Sequence, residues 1–164
     1  MLGNMESDLD EAHHSTTWIA EHALEQIGDW QGGGNMLTVG FVKPHHPHDP
    51  PAPWSRMYDP DGLTLLPGWL ESTPARDVAK APGYFRNADI TEQQVRLAMA
   101  MYYATISQID HHVGRFVEAL NEQGLFDDTL IVYTGDHGDF LGFHHLIGKG
   151  NHMYDPVVRI PFIV

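Results

Sequence analysis

In Leu130-Ile131-Val132-Tyr133-Thr134-Gly135-Asp136-His137-Gly138-Asp139-Phe140-Leu141-Gly142-Phe143, an apolar run gives way to glycine, and an acid and an imidazole follow at once. The run is β-branched and aromatic and is bounded upstream by Asp127-Asp128, so it reads as a short buried strand. Asp136 and His137 then stand just past its C-terminal end. In open α/β sheets that edge is where ligands bind, because the loops there leave a crevice lined by strand-end side chains. Gly135, Gly138, Gly142, Gly148 and Gly150 let the backbone turn sharply and approach a ligand closely. An oxygen donor beside an imidazole suits a divalent metal of intermediate softness. Taken alone, such a pair also reads as a hydrogen-bonded turn; the surrounding residues decide.

Outward from this stretch, elements alternate. Helix signals begin at Ser15-Thr16-Thr17, with Trp18, Ile19, Ala23, Leu24 and Ile27 spaced for one apolar face and Gly28 as a stop. The glycine-rich turn Gln31 to Asn35 leads into an expected strand over residues 36–42. From Lys43 to about Asp89 prolines block helix and central strand alike, and a loop of that length in a compact domain is usually functional. Thr91-Glu92-Gln93-Gln94 reads as a capping box. It opens a long amphipathic helix carrying Val95, Met99, Tyr102, Ile106, Ile109, Val113, Phe116 and Leu120, which ends at Gly124. Arg159 to Val164 reads as a further strand. The order predicts an α/β fold with the sheet sandwiched between helices. The apolar run at the end of the chain and the lack of a leading β-α unit predict a domain incomplete at both ends, with residues 1–13 as a loose acidic lead-in and 14–164 as a partial catalytic domain.

Composition narrows the function. Nine basic against 22 acidic side chains, a net charge of −13, leave no basic stripe to neutralise phosphates, so no nucleic-acid partner is expected. There are no cysteines, which excludes disulfides, thiolate metal sites and a cysteine nucleophile in this chain. No apolar run approaches the length of a membrane span, and the first residues lack the form of a signal peptide, so the expected compartment is cytoplasmic if Met1 is the true start. Of the 12 histidines, those at 13, 14, 22, 111 and 112 fall in expected helices and read as packed or solvated rings.

Four motifs in order then carry a resemblance. Gly40-Phe41-Val42-Lys43-Pro44-His45-His46-Pro47, Tyr102-Tyr103-Ala104 with Ile109-Asp110, Thr134-Gly135-Asp136-His137-Gly138, and Gly148-Lys149-Gly150 with Met153-Tyr154 and Arg159-Ile160-Pro161 resemble the sulfatases of the alkaline phosphatase superfamily. The detail is similar to the branch of choline sulfatases, iduronate sulfatase-like enzymes and phosphonate monoester hydrolases. The resemblance spans roughly Thr16 to Val164 and implies an alkaline phosphatase-like fold and a sulfuric ester hydrolase acting on small-molecule esters.

Carried over residue by residue, the resemblance implies that Asp136 and His137 are the second pair of metal ligands. Sulfatases often have Asp-Asn there and bind calcium, whereas Asp-His is familiar among the phosphonate hydrolases. One divalent ion is expected; the imidazole favours manganese or zinc, with calcium still open. His45 matches the histidine that contacts the ester or assists the leaving group, and Lys149 the lysine that binds the sulfuryl or phosphoryl oxygens. His46, His144 and His145 are weaker candidates for lining the pocket, and Asp139 for bracing the metal loop. The formylglycine motif of the family, Cys/Ser-x-Pro/Ala-x-Arg, lies upstream of the Lys-Pro-His segment. Ser55-Arg56 and Ser72-Thr73-Pro74-Ala75-Arg76 carry parts of its look but lie after that segment, and no residue of this chain is read as the nucleophile. Asp8-Leu9-Asp10 does not follow a strand and does not supply the family's first metal pair. The chain alone is therefore expected to be inactive. Three functions follow: part of a sulfate monoester hydrolase, part of a phosphonate monoester or phosphodiester hydrolase, or a non-catalytic binding module.

Overall fold

A computed structural model of the protein describes residues 3–78 and 89–164. Two compact units share the chain: Gly3–Tyr58 with Met101–Leu130, and Asp59–Ala100 with Ile131–Val164. Helix α1 is Ser15–Gly28, α2 is Ala75–Val78, α3 is Glu92–Glu122 and α4 is Asp155–Val158; strands β1, Tyr133–Thr134, and β2, Phe162–Ile163, pair antiparallel. Among the described residues no helix is long and apolar enough to cross a membrane.

Local signals set both ends of α3. Thr91 Oγ1 accepts from the Gln94 amide at 3.2 Å and Gln94 Oε1 accepts from the Thr91 amide at 2.9 Å, the reciprocal bonds of a capping box. At the other end Gly124 adopts φ +66°. Its amide reaches Asn121 O, and the Leu125 amide reaches Leu120 O, both at 2.9 Å. That is a Schellman turn, which glycine enters without steric cost.

In the first unit α1 and α3 are tied at three levels. Gln108 Nε2 donates to Thr17 Oγ1 at 3.5 Å, Arg115 to Glu21 at 2.6 and 3.2 Å, and Gln123 Nε2 to Ile27 O at 3.0 Å. The partners advance together, so the two helices run the same way. The face of α1 that is buried differs from the expected one: Thr16, Thr17, Ala20, Ala23 and Ile27 face inward, while Trp18 is 59% exposed and packs on His22. Small residues allow close approach along this seam, and the threonine hydroxyl meets a buried glutamine, so apolar periodicity alone misplaces the stripe by part of a turn. Gly28 is the last helical residue and Asp29 is the cap, in the right-handed region. His14 and His112 are buried, and desolvation lowers the pKa of each.

Residues 3–13, expected to be loose, are pinned. The Met5 amide donates to His48 O at 3.2 Å and that of Ser7 to Pro50 O at 3.1 Å. Glu6 takes both the Ser55 hydroxyl and the Arg56 guanidinium, and Glu11 accepts from Trp54 Nε1 at 2.6 Å. Their acids find specific donors, which composition alone does not reveal.

The sheet departs most from expectation. The segment 36–42 forms no strand, and Met36 is 90% exposed. The runs 130–133 and 159–164 shrink to the two-residue strands β1 and β2, with Tyr133 opposite Ile163 and Thr134 opposite Phe162. This chain is thus mostly helical with little sheet, rather than a full sheet between helices. A strand exists only through its neighbours' backbone groups, so an apolar pattern does not make one where no partner runs alongside. Over residues 43–78 the long loop contains two 3-10 turns, Trp54–Arg56 and Pro60–Gly62, and α2; residues 79–88 lie outside the described residues.

Candidate metal and anion site

The second unit builds its site on a small apolar base. Phe140, Leu146 and Val157 form a buried cluster, with Phe143 and Tyr154 packed against it. Burying side chains of this kind contributes about 1.5–3 kcal/mol each. Two glycines bring the surrounding backbone close. A Cβ on Gly138 would overlap the Pro156 carbonyl oxygen, and the Gly138 amide donates to Val157 O at 2.8 Å, so the loop after β1 docks directly on α4. Gly142 has φ +98°, and a Cβ there would meet Val95 Cγ1 at 2.7 Å and Trp69 Cε3 at 3.2 Å.

Between these glycines the loop is laced to itself. Asp139 Oδ1 accepts from the amides of Leu141 at 2.9 Å and Gly148 at 3.1 Å, and the Phe140 amide donates to Gly148 O at 2.8 Å. Asp139 thus closes the base of the segment that leads to Lys149. Leu141, His144 and His145 all have positive φ, 43°, 53° and 61°. Non-glycine residues persist there only where their surroundings over-determine them. Here the His144 amide donates to Gly68 O at 2.8 Å and the His145 amide to Gly142 O at 2.9 Å.

Asp136, His137 and Lys149 come together at the mouth of this loop. Asp136 Oδ1 accepts from the His137 amide at 2.9 Å, and its Oδ2 lies 3.6 Å from His137 Nε2. The carboxylate is 88% exposed. What burial it has would raise its pKa, but backbone amides, the His137 ring in its protonated form and the Lys149 ammonium outweigh this and hold it below the usual range. His137 Nδ1 lies 2.9 Å from Gly138 O, which only accepts, so Nδ1 carries the proton. Nε2 is then the basic nitrogen, and the Lys149 ammonium donates to it at 2.7 Å. A ring whose Nδ1–H is fixed by a backbone carbonyl, with Nε2 beside a carboxylate, has the chemistry of a metal-ligating histidine. One imidazole and one carboxylate therefore fit part of a divalent ion's shell; among the described residues no group of three or more such ligands converges.

The other weaker candidates here are engaged from within. His145 is buried and its Nδ1–H donates to Leu70 O at 2.9 Å, while its ring packs on Trp69. His144 stacks on Phe143 at 4.0 Å and donates through Nδ1 to Asp77 at 3.2 Å. Asp77 was not legible in the sequence: it sits in an aperiodic proline-rich stretch, and nothing there marks its burial. Tyr154, its other partner, stood in the recognised motif without a role.

His45 and His46 belong to the first unit, in a turn with several short-range bonds. The His45 amide donates to Val42 O at 3.2 Å, its Nδ1 donates to His46 O at 2.7 Å, and the two rings stack at 4.3 Å. Lys43 donates to Pro47 O at 2.6 Å and pairs with Asp49. His48 is buried edge-on against Tyr102, and burial, helped by the charges of His46, Lys43 and His45, lowers its pKa to about 4.

With this geometry in place, comparison with known proteins gives the class and then the family. The fold matches a phosphonate monoester hydrolase from Silicibacter pomeroyi with a TM-score of 0.82 and 31% identity, over 97% of this chain and 34% of that one, which places it among alkaline phosphatase-like hydrolases over a partial region. Residues 3–164 match the Sulfatase family model, and the chain belongs to the sulfatase family. It is 31% identical to an arylsulfatase of Clostridium perfringens over 94% of its length and 32% of that protein's. It is 34% identical to a choline-sulfatase of Rhizobium meliloti over 78% of its length and 26% of that protein's. The chain spans about a third of the length of the curated relatives it matches. The family typically binds a divalent metal.

Proposed function

We propose that this chain supplies the metal-and-anion corner of a hydrolase that cleaves sulfate monoesters. The observation that carries the reading is the convergence of Asp136, His137 and the Lys149 ammonium just after β1; the His137 Nε2 lone pair that takes the ammonium would take the ion instead, which leaves Lys149 for the ester oxygens. Asp136 and His137 would hold one divalent ion, calcium, manganese or zinc, as a Lewis acid toward the ester oxygens. Lys149 donates to the non-bridging oxygens, where negative charge is spread as the sulfuryl group transfers. His45 protonates the departing alkoxide or phenoxide, a transfer an imidazole performs near neutral pH. Asp139 keeps the loop base closed so that Lys149 is presented, and His46, stacked on His45, sets the orientation of that ring.

Phosphonate monoester or phosphodiester hydrolysis is the second reading. It is favoured by the Asp-His pair, which resembles that branch, and by the likeness to the Silicibacter enzyme. Rates on an aryl sulfate and a phosphonate monoester, measured on the enzyme that contains this chain, separate the two. A clear preference for sulfate is expected, and a preference for phosphonate overturns it. The 164-residue chain alone is expected to show no turnover, since none of its residues is read as the nucleophile; saturable hydrolysis of an aryl sulfate by the pure chain contradicts this.

A further inference from the structure

Lys149 stands between two glycines and is exposed, so its own backbone gives it little reason to keep one position. Yet its ammonium lies 2.7 Å from His137 Nε2. The constraint comes from the shoulders of the loop. His144 and Tyr154 stand five residues before and five after Lys149, and both end on one side chain. Asp77, 2% exposed, takes the Tyr154 hydroxyl on Oδ1 at 2.8 Å and the His144 Nδ1–H on Oδ2 at 3.2 Å. Its backbone carbonyl also receives the Nε2–H of His152 at 3.3 Å.

We propose that Asp77 is a positioning residue for Lys149, a clasp that joins both shoulders of the 144–154 loop so that the ammonium is delivered to His137. An ionised carboxylate accepts at both oxygens, whereas a neutral amide in its place offers one accepting oxygen and would lose one of the two donors. Burial alone would raise the Asp77 pKa, but the bonds from Tyr154 and His144 prevail and keep it below the usual range, in the charged form the clasp needs. The apolar parts of the same rings are held separately: His144 lies flat on Phe143, and Tyr154 packs against Phe143 and His152. The two rings also meet edge to face at 4.8 Å, so packing brings them together and Asp77 adds the polar bond that holds both at once. The consequence for catalysis rests on reading Lys149 as the anion donor; the clasp itself does not.

The test is nitrogen NMR of the His137 ring at fixed pH, with amide hydrogen exchange, on the full chain and its Asp77→Ala and Tyr154→Phe variants. The wild type should show a single Nδ1–H tautomer at His137. In Asp77→Ala the Lys149 contact should be lost, the tautomers should mix, and exchange over 144–154 should rise by about tenfold while α1 is unaffected. Tyr154→Phe keeps the ring packing and removes one arm of the clasp, so it should shift the same signals part of the way, and it decides the matter if Asp77→Ala fails to fold. An unchanged His137 signal, or exchange that rises evenly along the chain, would show that Asp77 only packs. Absence of sulfate ester hydrolysis in the enzyme would overturn the functional reading and leave this result standing, so the two failures are distinguishable.

Discussion

The two loops that carry the candidate residues differ in the reach of the bonds that hold them. The turn at Lys43 to Pro47 carries bonds of short range, Lys43 on Pro47 and Asp49, His45 on Val42 and His46, and His48 beyond it joins the rest of the unit through the Met5 amide and the Tyr102 ring. The loop from Gly135 to Tyr154 is also laced internally, but its shape depends on residues far away in sequence, Gly68, Leu70, Asp77 and Val95 among them. Bonds of the first kind are encoded where they stand. A loop of the second kind is encoded across the unit, and it should be correspondingly sensitive to substitutions remote from the site.

The largest effect that sharpens this contrast lies in the metal pair. Asp136→Ala should abolish stoichiometric metal binding and lower turnover of the enzyme roughly a thousandfold, about 4 kcal/mol, as expected when a Lewis acid is lost. Metal analysis beside steady-state kinetics checks it.

Next comes pH, which probes His48, where that turn meets the rest of its unit. His48 is neutral in the folded state, with its pKa lowered from 6.5 to about 4, so the unfolded chain binds the extra proton first. The stability it lends is fully present above pH 6.5 and is lost as pH falls toward 4, about 3 kcal/mol across that window. Denaturant melts at pH 7 and pH 4 should show the loss, and His48→Phe should flatten it.

Gly142→Ala probes the long-range loop. Its added methyl meets Val95 and Trp69 at a left-handed backbone position, and a loss of about 2–3 kcal/mol is expected in urea unfolding. If the loop were held by short-range bonds alone, the cost would stay near the usual strain of an alanine at positive φ. The smallest effect is Gly124→Ala, where nothing crowds the Cβ and only the positive φ is at stake: about 1 kcal/mol, measured the same way.

The same division explains what the sequence discloses. The ends of α3 were readable because Thr91, Gln94 and Gly124 act within a turn of themselves. The position of Asp136 and His137 after a strand was readable for the same reason, although the strand itself narrows to two residues. What was not legible depends on partners. The inward face of α1 is chosen by α3, and Glu6 and Glu11 are ordered by Arg56 and Trp54. The segment 36–42 has a strand's residues without a strand's neighbour among the described residues. Asp77 is the sharpest case: an acid in an aperiodic stretch gains its meaning only when His144 and Tyr154 arrive on its two oxygens.

The central claim is that Lys149 serves the transferring group beside a metal held by Asp136 and His137. The most direct test is kcat for an aryl sulfate in the enzyme carrying Lys149→Ala, with metal content measured on the same sample. The account predicts a fall in kcat of about a hundred- to a thousandfold with metal retained; an unchanged kcat at full metal content would contradict it.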